Sequence, residues 1–258
     1  MEKLVVVEVK ERIGWITLNR PEKRNAMSPD LIASLSEALE VLAGNSEAKV
    51  IVLKSEGKAF CAGADLDYIR QLQNFTFEEN LEDSRKLLDL FTKIYEYPKP
   101  VIAQVQGHAL AGGCGLVTVC DFAFSVQEAL FGYTEVKIGF IPALVSVFLA
   151  EQIGQAKAME LLLSGELISA QKATELGLIT QVVADGALEQ FTEEFAQKLI
   201  QSNSGLAMKE TKRLLRSLGK QQRDEALIAA AEANARARAS EDCIQGIASF
   251  LSKTKPVW

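Results

Sequence analysis

The chain has 258 residues, of which 48% are hydrophobic and 24% are charged, and its formal net charge is −6. This composition is typical of a globular protein, and the acidic balance argues against nucleic acid as a partner. Residues 1–10 place charges among the apolar residues, unlike a secretory signal. The longest nearly apolar run, residues 138–150, is too short to span a bilayer. We therefore expect a cytoplasmic protein without a membrane partner.

The chain offers few residues for metal binding or for nucleophilic catalysis. Its four cysteines form no C-x-x-C pair, and His108 is its only histidine. A zinc site needs more such ligands at suitable spacing, so we expect no metal and reduced thiols. A Ser-His-Asp or Cys-His arrangement would have to use His108, which we interpret as a structural residue.

The pattern of apolar residues predicts a first half that mixes strands and helices. A hairpin is expected over residues 4–18, and buried strands are expected over residues 50–53 and 101–106. Ser28 followed by Pro29 has the chemistry of a helix start, and another helical pattern covers residues 78–95. The alternation of strand, turn and helix predicts a stacked β-β-α core.

Beyond Pro142 the strand signals nearly vanish and helical patterns take over. The predicted helices cover residues 143–153, 156–163, 170–176, 187–202 and 224–239. The last of these is rich in alanine, whose small side chain suits both helix formation and close packing. The chain is therefore predicted to be an α/β protein with a β-β-α core over residues 1–190 and a helical C-terminal region over residues 191–258.

Two glycine-rich turns each follow a predicted strand. Residues 59–65 read Ala-Phe-Cys-Ala-Gly-Ala-Asp, and residues 107–115 read Gly-His-Ala-Leu-Ala-Gly-Gly-Cys-Gly. Glycine lets a ligand approach the main chain, and a turn that leads into a helix leaves backbone N–H groups unpaired. The two turns together predict two N–H donors that converge on one oxygen, as in an oxyanion hole. The second turn lacks the G-x-G-x-x-G spacing of a dinucleotide-binding site.

Together with four further segments, these turns resemble the signatures of the crotonase (enoyl-CoA hydratase/isomerase) superfamily. The further segments are residues 18–26, 131–142, 176–179 and 250–253, and all six occur in the family's order over nearly the whole chain. The resemblance implies a crotonase-like superhelix of β-β-α units and an acyl-CoA substrate. It implies no separate cofactor, because coenzyme A is part of the substrate. It also implies a homo-oligomer, a trimer or hexamer, assembled through the helical C-terminal region.

The resemblance also implies which residues act on the substrate. In the family, two backbone N–H groups hold the thioester oxygen, and the matching positions here are Ala64 and Gly112. Glu135 matches the second of the two glutamates that enoyl-CoA hydratases use, and its apolar neighbours predict a raised pKa. The first glutamate is absent because Gly115 stands at its position. In a hydratase that works with one glutamate, we expect the space beside Gly115 to hold water or part of the substrate.

Further residues are implied for substrate binding. Lys23 and Arg24 match positions that meet the phosphates of coenzyme A, and Ala62 matches a backbone contact to adenine. Phe250 and Lys253 match a pair that reaches the coenzyme A of a neighbouring subunit. The other predicted substrate-binding residues are Ala26, Asp65, Leu66, Tyr68 and Gly115. Asp65 also has the character of a capping carboxylate in a turn.

Three functions remain open at this stage. Addition or removal of water at a 2-enoyl-CoA ranks first, because residues 134–148 are similar to hydratases of the methylglutaconyl-CoA type. Movement of the double bond by the lone glutamate, as in the enoyl-CoA isomerases, is the alternative within the family. A non-catalytic protein that binds acyl-CoA or RNA is the alternative from another class.

Overall fold

The computed structural model describes residues 3–184 and 186–258. The strands are β1 (Val5–Lys10), β2 (Ile13–Leu18), β3 (Val50–Ser55), β4 (Ala59–Cys61), β5 (Val101–Val105), β6 (His108–Leu110), β7 (Phe122–Val126), β8 (Leu130–Gly132), β9 (Ile168–Ser169) and β10 (Gln181–Val183). The helices are α1 (Pro29–Gly44), α2 (Leu66–Leu72), α3 (Phe77–Tyr95), α4 (Gly112–Thr118), α5 (Ala143–Ile153), α6 (Gln155–Ser164), α7 (Ala170–Leu176), α8 (Leu188–Ser202), α9 (Gly205–Ser217), α10 (Lys220–Arg238) and α11 (Glu241–Leu251). Short 3-10 helices cover Pro21–Lys23 and Glu135–Ile138.

The strands form two sheets, and successive units of the chain contribute one strand to each sheet. The first sheet has the order β1-β2-β3-β5-β7-β10, and the second has the order β4-β6-β8-β9. In three successive units a strand of the first sheet (β3, β5 or β7) is followed at once by a strand of the second (β4, β6 or β8) and then by a helix. The predicted α/β fold with a stacked β-β-α core and a helical C-terminal region is confirmed.

The core lies on both faces of the first sheet. The larger cluster fills the space between this sheet, the second sheet and helices α1, α3, α4 and α5. On the opposite face, α8 packs Leu188, Ala196 and Ile200 against residues such as Ile13 and Phe124 of the sheet. Helix α8 therefore runs across residue 190 while it covers the core sheet. The domain boundary at that position stays a prediction.

The structure contains helices that the sequence analysis did not predict, namely α2, α9 and α11. The helical pattern of α11 is weak in the sequence because Gly246 interrupts it. The glycine is required there, since a Cβ at this position would collide with the carbonyl of Ile138. Ser240 caps the helix by accepting a hydrogen bond from the Cys243 N–H at 3.2 Å. Close packing on the 3-10 helix thus requires the glycine that weakens the helical pattern.

The alanine-rich helix is confirmed but begins earlier, at Lys220. Its small residues Ala231 and Ala235 are buried within the chain, where α10 packs against α3 and α5. The part of this helix in contacts between subunits stays a prediction. None of the helices in residues 3–184 and 186–258 is long and apolar enough to cross a membrane.

Candidate active site

A cavity of about 870 Å³ lies between the second sheet, helices α2, α3 and α10, and the segment that follows β8. Most residues predicted from the sequence to bind substrate or to act in catalysis line it. They are Lys23, Arg24, Ala26, Ala62, Ala64, Asp65, Leu66, Tyr68, Gly112, Glu135 and Phe250. Gly115 and Lys253 are the two predicted residues outside this lining.

The pairing of the second sheet brings the two glycine turns together. Strands β4 and β6 are parallel, with Cys61 opposite Ala109, so the turns that follow them begin side by side. The Met27 N–H donates to the Gly63 carbonyl at 2.7 Å, and the Asp65 N–H donates to the Met27 carbonyl at 2.8 Å. In such a parallel bridge Met27 bonds to the residues on either side of Ala64. The N–H of Ala64 therefore points away from Met27.

Neither the Ala64 N–H nor the Gly112 N–H donates to a backbone carbonyl among the described residues. Both residues line the cavity. Two unpaired N–H donors at one cavity wall can stabilise negative charge that develops on a bound oxygen.

The two glycine turns contact each other closely, which explains why their residues are small. Gly63 has φ of +90°, and a Cβ there would lie 2.9 Å from the Cβ of Ala111. Ala111 itself has φ of 50° and ψ of −128°, a conformation that residues with a side chain rarely adopt. A Cβ on Gly112 would collide with Cε of Met27. Backbone strain of this kind is often found at functional sites, because the surrounding structure has to hold it in place.

Asp65 lines the cavity, but its side chain interacts with other groups of the protein. It caps α2 by accepting the N–H groups of Asp67 and Tyr68, and Nη1 of Arg20 lies 2.6 Å from its Oδ2. Burial would raise the pKa of this carboxyl, but the hydrogen bonds from Arg20 and the two N–H groups lower it below its usual value. The capping interpretation is thus confirmed, because both N–H groups bond to Oδ1 while Oδ2 forms an ion pair with Arg20.

Glu135 begins the 3-10 helix that follows β8. Its Oε2 is buried and has no hydrogen-bond partner among the described residues. Burial raises the pKa of this carboxyl to about 7. A carboxyl that lines a cavity and exchanges its proton near neutral pH has the properties of a general acid or base.

The space beside Gly115 is filled, which corrects the expectation that it holds water or substrate. Gly115 is buried in α4, and a Cβ there would lie 2.8 Å from Cζ of Phe91 and 3.5 Å from Cγ2 of Val145. Phe91 is itself 1% exposed and lines the cavity from α3. An aromatic ring therefore covers the position from which the first glutamate of a hydratase would project.

The residues predicted to meet coenzyme A lie near the exposed edge of the cavity. Lys23 pairs with Asp67 at 2.9 Å, and this hydrogen bond raises the pKa of the exposed lysine. The Ala62 N–H donates to the Arg24 carbonyl at 3.1 Å. Phe250 lies along the cavity of its own chain, so its place there does not need a neighbouring subunit. The reach of Lys253 to a neighbour stays a prediction.

Several polar residues of the cavity were missed by the sequence analysis. Asp83 on α3 pairs with Arg238 on α10 at 2.6 Å, and Asn234 lies one turn before Arg238. In the sequence they stand among other polar residues of amphipathic or alanine-rich helices, which resemble a solvated face. Spacing alone could not reveal that α10 turns these side chains inward.

His108 has a structural partner. It is exposed, and its Nδ1 accepts the Leu130 N–H at 3.1 Å. Within the described part of the chain, no group of three or more His, Cys, Asp or Glu residues could hold a metal ion.

The comparison with known families agrees with this arrangement. The model of the enoyl-CoA hydratase/isomerase family matches residues 8–258. The chain belongs to this family. The crotonase superfamily that the sequence motifs resemble is therefore confirmed, and with it membership of a family of acyl-CoA enzymes.

Individual relatives match over the full length. One relative is a protein of Thermus thermophilus that is named as a candidate enoyl-CoA hydratase. It is 40% identical to this chain, and the match covers 98% of this chain and 99% of the relative. The 2,3-dehydroadipyl-CoA hydratase of Escherichia coli is 32% identical over 98% of this chain and 97% of its own. The crystal structure of an enoyl-CoA hydratase from Mycobacterium avium is 31% identical, covers 99% of each chain and has a TM-score of 0.88.

Proposed function

We propose that this enzyme adds water to, or removes it from, a 2-enoyl-CoA thioester. The N–H groups of Ala64 and Gly112 bind the thioester oxygen, and Glu135 is the lone acid–base group. The observation that carries this proposal is the carboxyl of Glu135, which lines the cavity and has a pKa of about 7. Its buried Oε2 has no hydrogen-bond partner among the described residues.

One carboxylate is sufficient to complete the hydration. Ionised Glu135 takes a proton from water as the water oxygen bonds to the β-carbon and the carbon–carbon double bond shifts its electrons to the thioester oxygen. The two N–H groups stabilise this enolate. The proton on Glu135 then passes to the α-carbon as the thioester carbonyl forms again. The carboxylate is thereby regenerated, and the elements of one water molecule have been added.

Movement of the double bond is the second candidate, and the ring of Phe91 favours it. Phe91 and Val145 make the wall beside Gly115 apolar, so among the described residues no second carboxylate is placed to hold a water there. Glu135 could then take a proton from the α-carbon of a 3-enoyl-CoA and return it to the γ-carbon, which moves the double bond next to the thioester carbonyl. Hydration ranks first because the Escherichia coli relative is named as a hydratase and residues 134–148 are similar to hydratases. A non-catalytic role is less favoured, since leaving a buried carboxyl unpaired lowers stability without any gain for binding alone.

The test is to incubate the enzyme with a panel of 2-enoyl-CoA and 3-enoyl-CoA thioesters in deuterated water and to analyse the products by mass spectrometry. Hydration adds the mass of one water, whereas isomerisation shifts the double bond without that gain. If no tested substrate gains water but 3-enoyl-CoA is converted, the enzyme is an isomerase. If nothing turns over while acyl-CoA still binds, the non-catalytic role is correct.

The raised pKa of Glu135 predicts a pH dependence. As the base in hydration, Glu135 must be ionised, so kcat/KM should fall about tenfold for each pH unit below about 7 and level off above it. The measurement is kcat/KM of hydration from about pH 5 to 9 on one substrate. A profile that stays flat down to about pH 5 would show that Glu135 keeps an ordinary pKa or is not the base.

We expect a homo-oligomer, a trimer or hexamer, in the cytoplasm. Helix α9 supports assembly because it exposes Leu206, Leu214 and Leu215, each at least 60% exposed. Replacement of Leu214 and Leu215 by Ser should weaken the assembly, because apolar area would no longer be buried. Sedimentation of wild type and variant at micromolar concentration measures this. A wild-type monomer would refute the expectation.

A further inference from the structure

One wall of the active-site cavity is polar, although most of the lining is apolar. This polar wall consists of Tyr68 from α2, Asp83 from α3, and Asn234 and Arg238 from α10. Asn234 is 4% exposed and Arg238 is 6% exposed. Polar side chains are rarely buried to this degree unless they are hydrogen-bonded.

The hydrogen bonds of the polar wall are incomplete. Nη1 of Arg238 donates to Oδ2 of Asp83 at 2.6 Å and to Oδ1 of Asn80 at 3.1 Å, and the hydroxyl of Tyr68 donates to Asp83. By contrast, Nε of Arg238 and Oδ1 of Asn234 are buried without any partner among the described residues. These two atoms belong to residues four apart on α10, so they lie on the same face of the helix.

Helix α3 separates Asp83 of the polar wall from Phe91, the residue that covers Gly115. Phe91, Leu87 and Asp83 are spaced four residues apart on α3, and all three line the cavity. Phe91 covers Gly115 in α4, the helix that begins with Gly112. Asp83 is eight residues from Phe91, which is about 12 Å along a helix. An acyl chain that runs along α3 from Phe91 would therefore pass Leu87 before it reaches Asp83.

We propose that the polar wall binds a hydroxyl at the distal end of the acyl group, carried on a chain or on a ring. A hydroxyl accepts one hydrogen bond and donates another. It can accept from Nε of Arg238 and donate to Oδ1 of Asn234, which satisfies both unpaired atoms with one group. This proposal deepens the proposed function and rests on it, since it names the class of acyl-CoA that the same cavity takes.

The charge of the polar wall favours a neutral group. Asp83 already balances the guanidinium of Arg238. A terminal carboxylate, as in substrates of the methylglutaconyl-CoA type, would bring a second anion beside Asp83 and leave Oδ1 of Asn234 without a donor. Burying an uncompensated charge is costly, whereas a hydroxyl adds none.

The experiment measures binding of saturated, unreactive acyl-CoA thioesters by calorimetry. At each chain length the acyl group ends in a methyl, a hydroxyl or a carboxylate. We expect the hydroxyl form of one length to bind at least about tenfold more tightly than its methyl counterpart, because the methyl leaves two polar atoms unpaired. Asn234→Leu should abolish this preference while short acyl chains bind as before. The matched control Asn203→Leu changes an exposed asparagine outside the cavity and should keep it.

Equal binding of hydroxyl and methyl forms by the wild type would overturn the proposal, and so would tighter binding of the carboxylate form at every length. Both outcomes are read from the wild type, so they do not depend on the folding of Asn234→Leu. The measurement needs no turnover. A hydroxyl preference without conversion of any enoyl-CoA would refute the proposed reaction alone, whereas turnover without a hydroxyl preference would refute this inference alone.

Discussion

Glu135→Gln is expected to lower kcat by about two to four orders of magnitude, the usual effect of removing a positioned acid–base group. The amide has nearly the size of the carboxyl but cannot take a proton from water or return one to carbon. Binding of saturated acyl-CoA should persist, since the cavity and the two N–H donors are unchanged. The measurement is kcat for hydration and Kd for a saturated acyl-CoA, compared in wild type and variant.

The matched control is Glu128→Gln, which removes an exposed carboxylate outside the cavity. It should keep the wild-type kcat. Because burial keeps Glu135 neutral below a pH of about 7, Glu135→Gln should also be no less stable than the wild type at neutral pH. Unchanged turnover in Glu135→Gln would place the acid–base group elsewhere and remove the main support for the proposed reaction.

The fold was predictable from the sequence where local signals and burial agree. Strand β3 is a run of β-branched residues buried in the core, and Ser28 caps α1 by accepting the Leu31 N–H, so pattern and structure coincide there. Helix α9 was missed although Ser204 caps it by accepting the Ala207 N–H, and none of its residues is buried within the chain. Strand β10 was missed because its three residues gain their pairing only when the chain returns to β7.

The candidate site was predictable where it consists of backbone in short motifs. The turns that carry Ala64 and Gly112 are written in consecutive residues, and Glu135 follows β8 directly. The polar wall was not predictable, because Asp83 and Arg238 are 155 residues apart and meet only when α10 packs against α3. The ring of Phe91 over Gly115 was missed for the same reason, since the sequence reveals the absent glutamate but not the side chain that fills its place.

The second large effect is expected for Gly115→Glu. The new Cβ would lie 2.8 Å from the ring of Phe91, and the carboxylate would be buried between Phe91 and Val145. Overpacking and an unpaired buried charge together should lower the free energy of unfolding by about 3 kcal/mol or more. For a chain of this size that corresponds to a fall in Tm of roughly 5–10 °C. Thermal unfolding measures it.

Gly44→Glu is the matched control, because a Cβ at Gly44 meets nothing within 4 Å. Its Tm should stay close to that of the wild type. A wild-type Tm for Gly115→Glu would show that the ring of Phe91 moves aside easily and that the space beside residue 115 can hold a side chain.

A double variant tests whether the ring of Phe91 excludes a side chain at position 115. Phe91→Ala removes the ring that fills the space beside Gly115, so Phe91→Ala combined with Gly115→Glu should be more stable than the sum of the two single changes allows. With room for the carboxylate, the double variant would carry two acid–base groups, and its hydration rate on a straight-chain 2-enoyl-CoA should exceed that of Phe91→Ala alone. The contrary result is that the effects of the single changes on stability add and that the double variant gains no hydration activity. Phe91 would then not be the residue that distinguishes this site from one with two carboxylates, and the one-glutamate mechanism would need another structural basis.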